Sequence, residues 1–283
     1  MMFFRFAAVA ALCSASLSLM AQTAATVTTV PVAGPVYMLE GSGGNMAVVV
    51  GDDGFVLIDA KYANAADAVK QQLAQLKAGA KVNSLINTHF HGDHVSGNAA
   101  LAAGVPIIAS DNTGKRLAQD SKFDRKGLPT DTFSGEKTWQ RNGVTMQLIT
   151  QAPSHTDTDL VVWFKDLNTV HLGDLFFVDR FPFIDLKSGG SVAGYINNIK
   201  ALLSKMDDKT QIIPGHGALS DKADLQRFLA MIEQTQAQVL LMKQQGLSED
   251  QAVQKGLGKT WQSWSWQFIN EEKWIRTLYQ GSH

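Results

Sequence analysis

Thr88-His89-Phe90-His91-Gly92-Asp93-His94 places three imidazoles and one carboxylate within six residues, directly after the apolar run Ser84-Leu85-Ile86-Asn87. The 283-residue chain has seven histidines, so this one stretch concentrates nearly half of them. Imidazole and carboxylate are the donors that bind divalent zinc or iron. A regular strand would alternate these side chains between two faces, whereas a loop at a strand end can turn several toward one point. Such a cluster is hard to satisfy in a folded chain without a metal. The stretch reads as a metal-binding loop closing a strand.

Working outward, the chain alternates strand and helix signals. Residues 35–39 and 45–50 read as strands, and Asp53-Gly54 between apolar runs marks a hairpin into 55–58. Asn64 is expected to cap a helix running to about Lys77, with Ala65, Val69, Leu73 and Leu76 on one face. A strand at 84–87, the histidine loop, a short helix near 98–103 and a strand at 106–109 follow. A second series comprises strands at 136–140, 144–150, 160–164 and 169–172, with Asn142-Gly143 as another tight hairpin. A helix at 191–205, a short buried strand at 211–213 and a long amphipathic helix from Asp221 complete it. Two strand series, each ending in helices, predict an α/β fold with two sheets face to face and helices outside.

The remaining candidate ligands share a context. His155 lies in Pro153-Ser154-His155-Thr156, Asp174 in His171-Leu172-Gly173-Asp174, and His216 in Pro214-Gly215-His216-Gly217. Each follows an apolar run, so all can gather at one rim of the sheets, where α/β active sites collect. His171 is read as a local packing or hydrogen-bonding residue. Phe176, Phe177, Arg180 and Phe181, just after Asp174, are expected to wall an apolar pocket, with Arg180 or Lys187 meeting a substrate carboxylate. Ser42-Gly43-Gly44-Asn45 is expected to be a flexible turn over the site, and Trp261, Trp264, Trp266 and Trp274 to pack C-terminal helices onto the domain or form a dimer contact.

These motifs, in this order, resemble the metallo-β-lactamase-fold hydrolase superfamily over roughly residues 37–217. Asp59 ends an early strand; His89, His91, Asp93 and His94 form the HxHxDH loop; His155, Asp174 and His216 follow. The resemblance implies an αββα sandwich of two mixed sheets, with two zinc ions at one edge. It implies one zinc on His89, His91 and His155, another on Asp93, His94 and His216, and Asp174 bridging both. Asp59 would orient the loop through hydrogen bonds. A bridging Asp174 is similar to relatives such as glyoxalase II and the acyl-homoserine lactonases; true β-lactamases of this fold carry Cys or Ser there.

Composition narrows the rest. A net charge of −1 gives no sign of nucleic-acid binding. Residues 1–25 read as a signal peptide: one positive charge at Arg5, an apolar stretch at 6–20, then Ala21, Ala24 and Ala25 as candidate cleavage positions. The mature chain, 26–283, is expected to be one hydrolase domain with a helical C-terminal extension, periplasmic or secreted, without a membrane anchor. Cys13, the only cysteine, lies in that leader, so the mature protein offers no thiol as nucleophile or ligand.

The expected activity is hydrolysis of an activated carbonyl in a small molecule (a β-lactam, lactone or thioester) by a zinc-held hydroxide, with Asp93 orienting the nucleophile and passing on its proton. No G-x-S-x-G element offers a serine nucleophile. A mono-iron persulfide dioxygenase and a non-catalytic metal-binding protein are the alternative readings.

Overall fold

The computed structural model describes residues 25–281. The leader's cleavage region before Ala25, Cys13 and His283 lie outside the described residues.

The first sheet has seven strands in chain order: β1 (Val27–Ala33), β2 (Val36–Gly41), β3 (Met46–Gly51), β4 (Gly54–Ile58), β5 (Val82–Ile86), β6 (Ile107–Ser110) and β7 (Asp131–Phe133). From β1 to β4 it is an antiparallel meander; from β4 to β7 neighbouring strands are parallel. The second sheet holds β8 (Glu136–Arg141), β9 (Val144–Thr150), β10 (Leu160–Phe164), β11 (Thr169–Phe177), β12 (Gln211–His216) and β13 (Ser220–Asp221), in the order β13-β12-β11-β10-β9-β8. Only β11 and β12 pair in parallel there.

Side-chain alternation builds three apolar layers from these strands. On β4, Val56 and Ile58 face the second sheet while Phe55 and Leu57 face the helices; on β10, Leu160, Val162 and Phe164 face the first sheet while Val161 and Trp163 face out. The first sheet's outer face is covered by α1 (Ala66–Leu76), through Val69 and Leu73, and by α3 (Asn98–Ala102), which follows the one-turn α2 (Gly92–Val95). α4 (Asp111–Gln119) follows β6. The second sheet's outer face is covered by α5 (Val192–Leu203), α6 (Lys222–Gln244) and α8 (Glu271–Gly281), with α7 (Glu249–Lys255) between the last two. The architecture is the expected αββα sandwich.

Three local expectations are revised. Asn64 does not cap α1: it sits in a 3₁₀ turn, Ala63–Ala65, and the helix begins after Ala65 with no side-chain cap. The strand foreseen at 169–172 continues to Phe177, because Gly173, at φ +52°, takes up a register shift that lets pairing resume. The Ser42–Asn45 turn is clamped: Gly44 N donates to Asp93 O (3.0 Å), Asn45 N to Gly215 O (2.7 Å) and the Lys61 ammonium to Gly44 O (2.7 Å).

β4 and β5 run in parallel, so their C-terminal ends share one edge. β11 and β12 do likewise, and β9 runs in the same direction as β11 across β10. Leu160 N donates to Thr88 O (2.7 Å), joining the start of β10 to the histidine loop. Among the described residues no helix is long and apolar enough to cross a membrane.

Candidate metal centre

The strand ends deliver all seven expected donors to one place. His89 and His91 come from the loop after β5, Asp93 and His94 from α2, His155 from the β9–β10 loop, Asp174 from β11, and His216 from the last position of β12. They form two groups sharing a neighbour: His89, His91, His155 and Asp174, then Asp93, His94 and His216.

Asp174 stands between the groups. Its Oδ2 lies 3.4 Å from His155 Nε2 and 3.7 Å from His89 Nε2; its Oδ1 lies 3.0 Å from His94 Nε2 and 3.4 Å from His216 Nε2. Asp93 Oδ2 closes the second group, 3.3 Å from His216 Nε2 and 3.7 Å from His94 Nε2. Donors at zinc–nitrogen distance in a tetrahedron stand about 3.4 Å apart, so these distances suit donors that could hold a first-row divalent ion.

Hydrogen bonding makes the same point. His89 Nε2, His94 Nε2 and Asp174 Oδ1 are buried without a partner of hydrogen-bond geometry, which is costly unless a cation completes them. His91 Nδ1 and His155 Nε2 face each other at 2.8 Å, and two imidazole lone pairs hold that distance only with a proton or cation at hand. The donor set fits zinc.

The opposite nitrogens are held from behind, which fixes each ring's orientation. His94 Nδ1 donates to Asp59 Oδ2 (2.7 Å), His155 Nδ1 to Phe183 O (2.7 Å) and His91 Nε2 to Asp185 Oδ2 (3.2 Å). Thr88 Oγ1 donates to Asp59 Oδ2 (2.7 Å), so it receives the proton of His89 Nδ1 at 3.0 Å. Asp59 also accepts from Thr88 N (2.8 Å), and its own backbone is held at φ +67°. A left-handed Asp costs about 1 kcal/mol or more, and here it points one carboxylate at three donors of the loop.

Two glycines give the donors room. A Cβ on Gly215 would lie 2.0 Å from Asp174 Oδ1, and one on Gly44 would lie 2.2 Å from the His94 ring.

The charges are unevenly shared. Burial opposes protonation of His94, but Asp174, Asp93 and Asp59 outweigh it and raise its pKa well above the ordinary value. Burial opposes the His216 charge too, and Asp174 and Asp93 raise its pKa. Burial, reinforced by His94, keeps His89 neutral. For Asp174, burial is overcome by His94, His216, His155 and His89, which hold its carboxyl well below the carboxylate range. Near neutral pH the metal-free site therefore holds protons on the second group that a cation must displace. Zinc uptake at pH 7 should release at least about one proton per site pair, read by calorimetry in buffers of different ionisation enthalpy. Uptake with no proton release would contradict this charge state.

Sequence reasoning missed several residues. Asp185, behind His91, is 94 residues away in sequence, and no local pattern marks it; the His91 hydrogen bond holds its carboxyl well below the usual range. Lys61 is fully buried, and burial pushes its pKa down to about 8 against the pull of Asp59 and Asp93. His171, by contrast, is the local residue it was read to be: its buried ring accepts at Nδ1 from Gly173 N at 3.0 Å, beneath the turn that presents Asp174.

A cavity of about 410 Å³ opens onto the donors through His91, Asp93 and His216, whose side chains are 16–19% exposed, while His89, His94 and His155 are buried. The expected pocket wall is mostly corrected, with one of its four residues at the cavity. Phe177 lines the cavity and stacks on His216, with centroids 4.9 Å apart. Phe176 packs instead on Phe228 and Phe181 on Trp274, both in the helix-side core. Arg180 faces a neighbouring groove, and Lys187 is exposed and outside the cavity wall. Trp261, Trp264 and Trp274 pack as expected, but Trp266 lines the cavity with Tyr62, Phe183 and Phe268.

The profile of the Metallo-beta-lactamase superfamily matches residues 39–216. The chain belongs to that superfamily. A metallo-beta-lactamase type 2 of Bacillus sp. (strain 170) is 24% identical over 186 residues, 64% of this chain and 69% of the relative. A hydroxyacylglutathione hydrolase of Nitrosococcus oceani is 29% identical over 151 residues, 52% of this chain and 53% of the relative, so the match spans about half of that enzyme. Among solved structures, a metallo-beta-lactamase from Pontibacter korlensis superposes with TM-score 0.62 at 20% identity, covering 74% of this chain and 99% of its own. A sec-alkylsulfatase from Pseudomonas sp. superposes with TM-score 0.71 at 17% identity, covering 92% of this chain and 51% of its own. At such identities the superpositions speak for the superfamily's fold. With its His/Asp metal site, the chain is a hydrolase-type member of this superfamily.

Proposed function

We propose that this chain is an exported di-zinc hydrolase that opens an activated carbonyl in a small molecule, with lactones and thioesters ahead of β-lactams. The carrying observation is Asp174, whose two oxygens face two separate groups of donors. In this reading His89, His91 and His155 would hold one ion and Asp93, His94 and His216 the other, with Asp174 available to both. Bound zinc supplies Lewis-acid polarisation and lowers the pKa of water from 15.7 to about 7.

The chain's own groups do the rest. Asp93 lines the cavity; burial opposes its ionisation, but His94 and the His216 hydrogen bond hold it ionised. It therefore accepts a hydrogen bond from an attacking water, orients it, and takes its proton for delivery to the leaving group. Phe177, Phe183 and Trp266 exclude bulk water from one side of the reacting carbonyl. The lactone and thioester preference rests on an oxygen-donor Asp174 and on the similarity to a hydroxyacylglutathione hydrolase. A mono-iron oxygenase would leave the second group without a purpose.

The test is hydrolysis of a chromogenic cephalosporin, an aryl lactone and a thioester by zinc-loaded protein, with and without chelator. Chelator-sensitive turnover, fastest on the lactone or thioester at kcat/KM of about 10⁴ M⁻¹s⁻¹ or more, supports the reading. Negligible turnover on all three refutes it, and oxygen uptake with a persulfide would move the assignment to the iron enzyme. Export rests on the leader read in residues 1–25 and is tested by fractionation and N-terminal sequencing of the exported protein.

A further inference from the structure

We infer that the segment after the last 3₁₀ turn, residues 265–270, builds a specificity subsite for an uncharged, ring-sized apolar flank of the substrate. The inference rests on the hydrolase reading of the adjoining centre. The segment lies outside the 39–216 superfamily match, so nothing in that match assigns it a role.

Trp266 is fixed rather than loosely packed. Its Nε1 donates to Phe181 O (2.9 Å), its backbone N donates to Ile269 O (3.0 Å), and the Arg180 guanidinium lies over its ring, 5.3 Å from the centroid. Its ring stands 6.1 Å from Phe177 and 6.2 Å from His216, beside the centre. Phe268 lies 5.6 Å from Trp266 and edge-on to Phe183 at 5.2 Å, and the Lys273 ammonium covers it while donating to its carbonyl. Phe183 in turn stands 5.5 Å from His91. Four rings thus line one arm of the cavity from its mouth to the metal donors.

Exposure sets this arm apart from ordinary packing. Among the described residues the exposed large hydrophobics are Tyr62, Leu241 and Phe268, and Tyr62 (47%) and Phe268 (50%) both stand at this cavity. Exposed apolar side chains gathered at a cavity mouth mark a place where an apolar partner is received.

Charge sets the preference. Among the described residues no Lys or Arg lines this cavity. Arg180 lies over Trp266, spends its Nε on Val178 O (3.2 Å), and lines the neighbouring groove with Glu40. Arg180 and Lys273 are engaged with the Trp266 and Phe268 rings and neither lines the cavity, so a carboxylate entering the aromatic arm would lose water with no lining cation to replace it. The subsite therefore selects neutral aryl or compact alkyl flanks and disfavours substrates with an anionic group at that position.

Three hydroxamates sharing one zinc-binding head test this by calorimetry on the zinc-loaded protein: acetohydroxamate, phenylacetohydroxamate and its 4-carboxy derivative. The phenyl compound should bind at least about tenfold tighter than the methyl one, as burial of most of a ring gives, and the carboxylate should reduce that gain. In Phe268→Ala, and separately in Trp266→Leu, the phenyl-to-methyl ratio should fall to within about threefold. Phe268 is half exposed and its ring makes no hydrogen bond, so that variant keeps the test open should Trp266→Leu misfold. Equal binding of the phenyl and methyl compounds, an unchanged ratio in Phe268→Ala, or tightest binding of the carboxylate would overturn the inference. A phenyl preference without hydrolysis of any carbonyl substrate would instead refute the hydrolase reading and leave the subsite standing.

Discussion

Asp174→Ala is expected to give a folded protein that holds less than its full zinc complement and loses at least about 10³-fold in kcat/KM, the scale of several kcal/mol of Lewis-acid assistance. The carboxylate is the one group facing both sets of donors. Without it the Nε2 atoms of His94, His216, His155 and His89 lose a carboxylate oxygen at 3.0, 3.4, 3.4 and 3.7 Å. Folding should survive, because the three apolar layers are built elsewhere. The sign of the pKa change agrees. Asp174 is the leading cause that raises His94's pKa, so in the variant His94 sheds its proton more readily and stays buried as a neutral ring. The thermal midpoint of the metal-free variant should therefore lie near that of the metal-free parent, while the gain on adding zinc shrinks. Metal analysis by mass spectrometry, steady-state kinetics and thermal scans with and without zinc check this together. Two zinc ions per chain with kcat/KM within about tenfold of the parent would remove Asp174 from the bridging role proposed for it.

The metal loop was legible because its donors are consecutive: no fold is needed to see that three histidines and an aspartate in six residues converge. His155, Asp174 and His216 were legible one step further, through apolar runs that end in turns. The strand at Val144–Thr150 shows its bounds in the sequence, since a hairpin glycine and near-alternating burial agree there, and Leu160–Phe164, buried throughout, shows as a short continuous apolar run. β1 was not foreseen: Val27–Ala33 mixes polar residues and a proline, and partner pairing rather than its own pattern makes it a strand. The pocket wall misled for a related reason. All nine residues of β11 are buried, so hydrophobicity does not say which face meets the site, and the shift at Gly173 breaks simple alternation. Phe176 therefore points to the core and Phe177 to the cavity. Asp185, Lys61 and Trp266 act across the fold, and a sequence read locally shows an aspartate, a lysine and a tryptophan with nothing to distinguish them.

Asp59→Asn should weaken metal binding by about 10–100-fold while keeping the fold, and the reason is a proton's position rather than a lost ligand. In the native site three donors converge on the Asp59 carboxylate: Thr88 N and Oγ1, and His94 Nδ1. A carboxylate accepts at both oxygens; an amide of the same shape accepts at one and donates at the other. If the Asn oxygen stays on Thr88 N, its NH₂ faces His94 Nδ1, which must then accept. The ring proton moves to Nε2, the atom that faces Asp174 Oδ1 at 3.0 Å, and blocks the lone pair needed for a cation. Asp59→Ala makes the opposite trade. It leaves the ring free to choose its tautomer but strands buried donors, at about 1–3 kcal/mol for each left unpaired, so it should cost stability more than Asn does. Chelator competition, thermal unfolding of the metal-free forms and ¹⁵N shifts of the His94 ring separate the two effects. If Asn binds zinc as tightly as the parent with the proton still on Nδ1, Asp59 does not set the tautomer, and the loop's geometry alone must hold His94 in place.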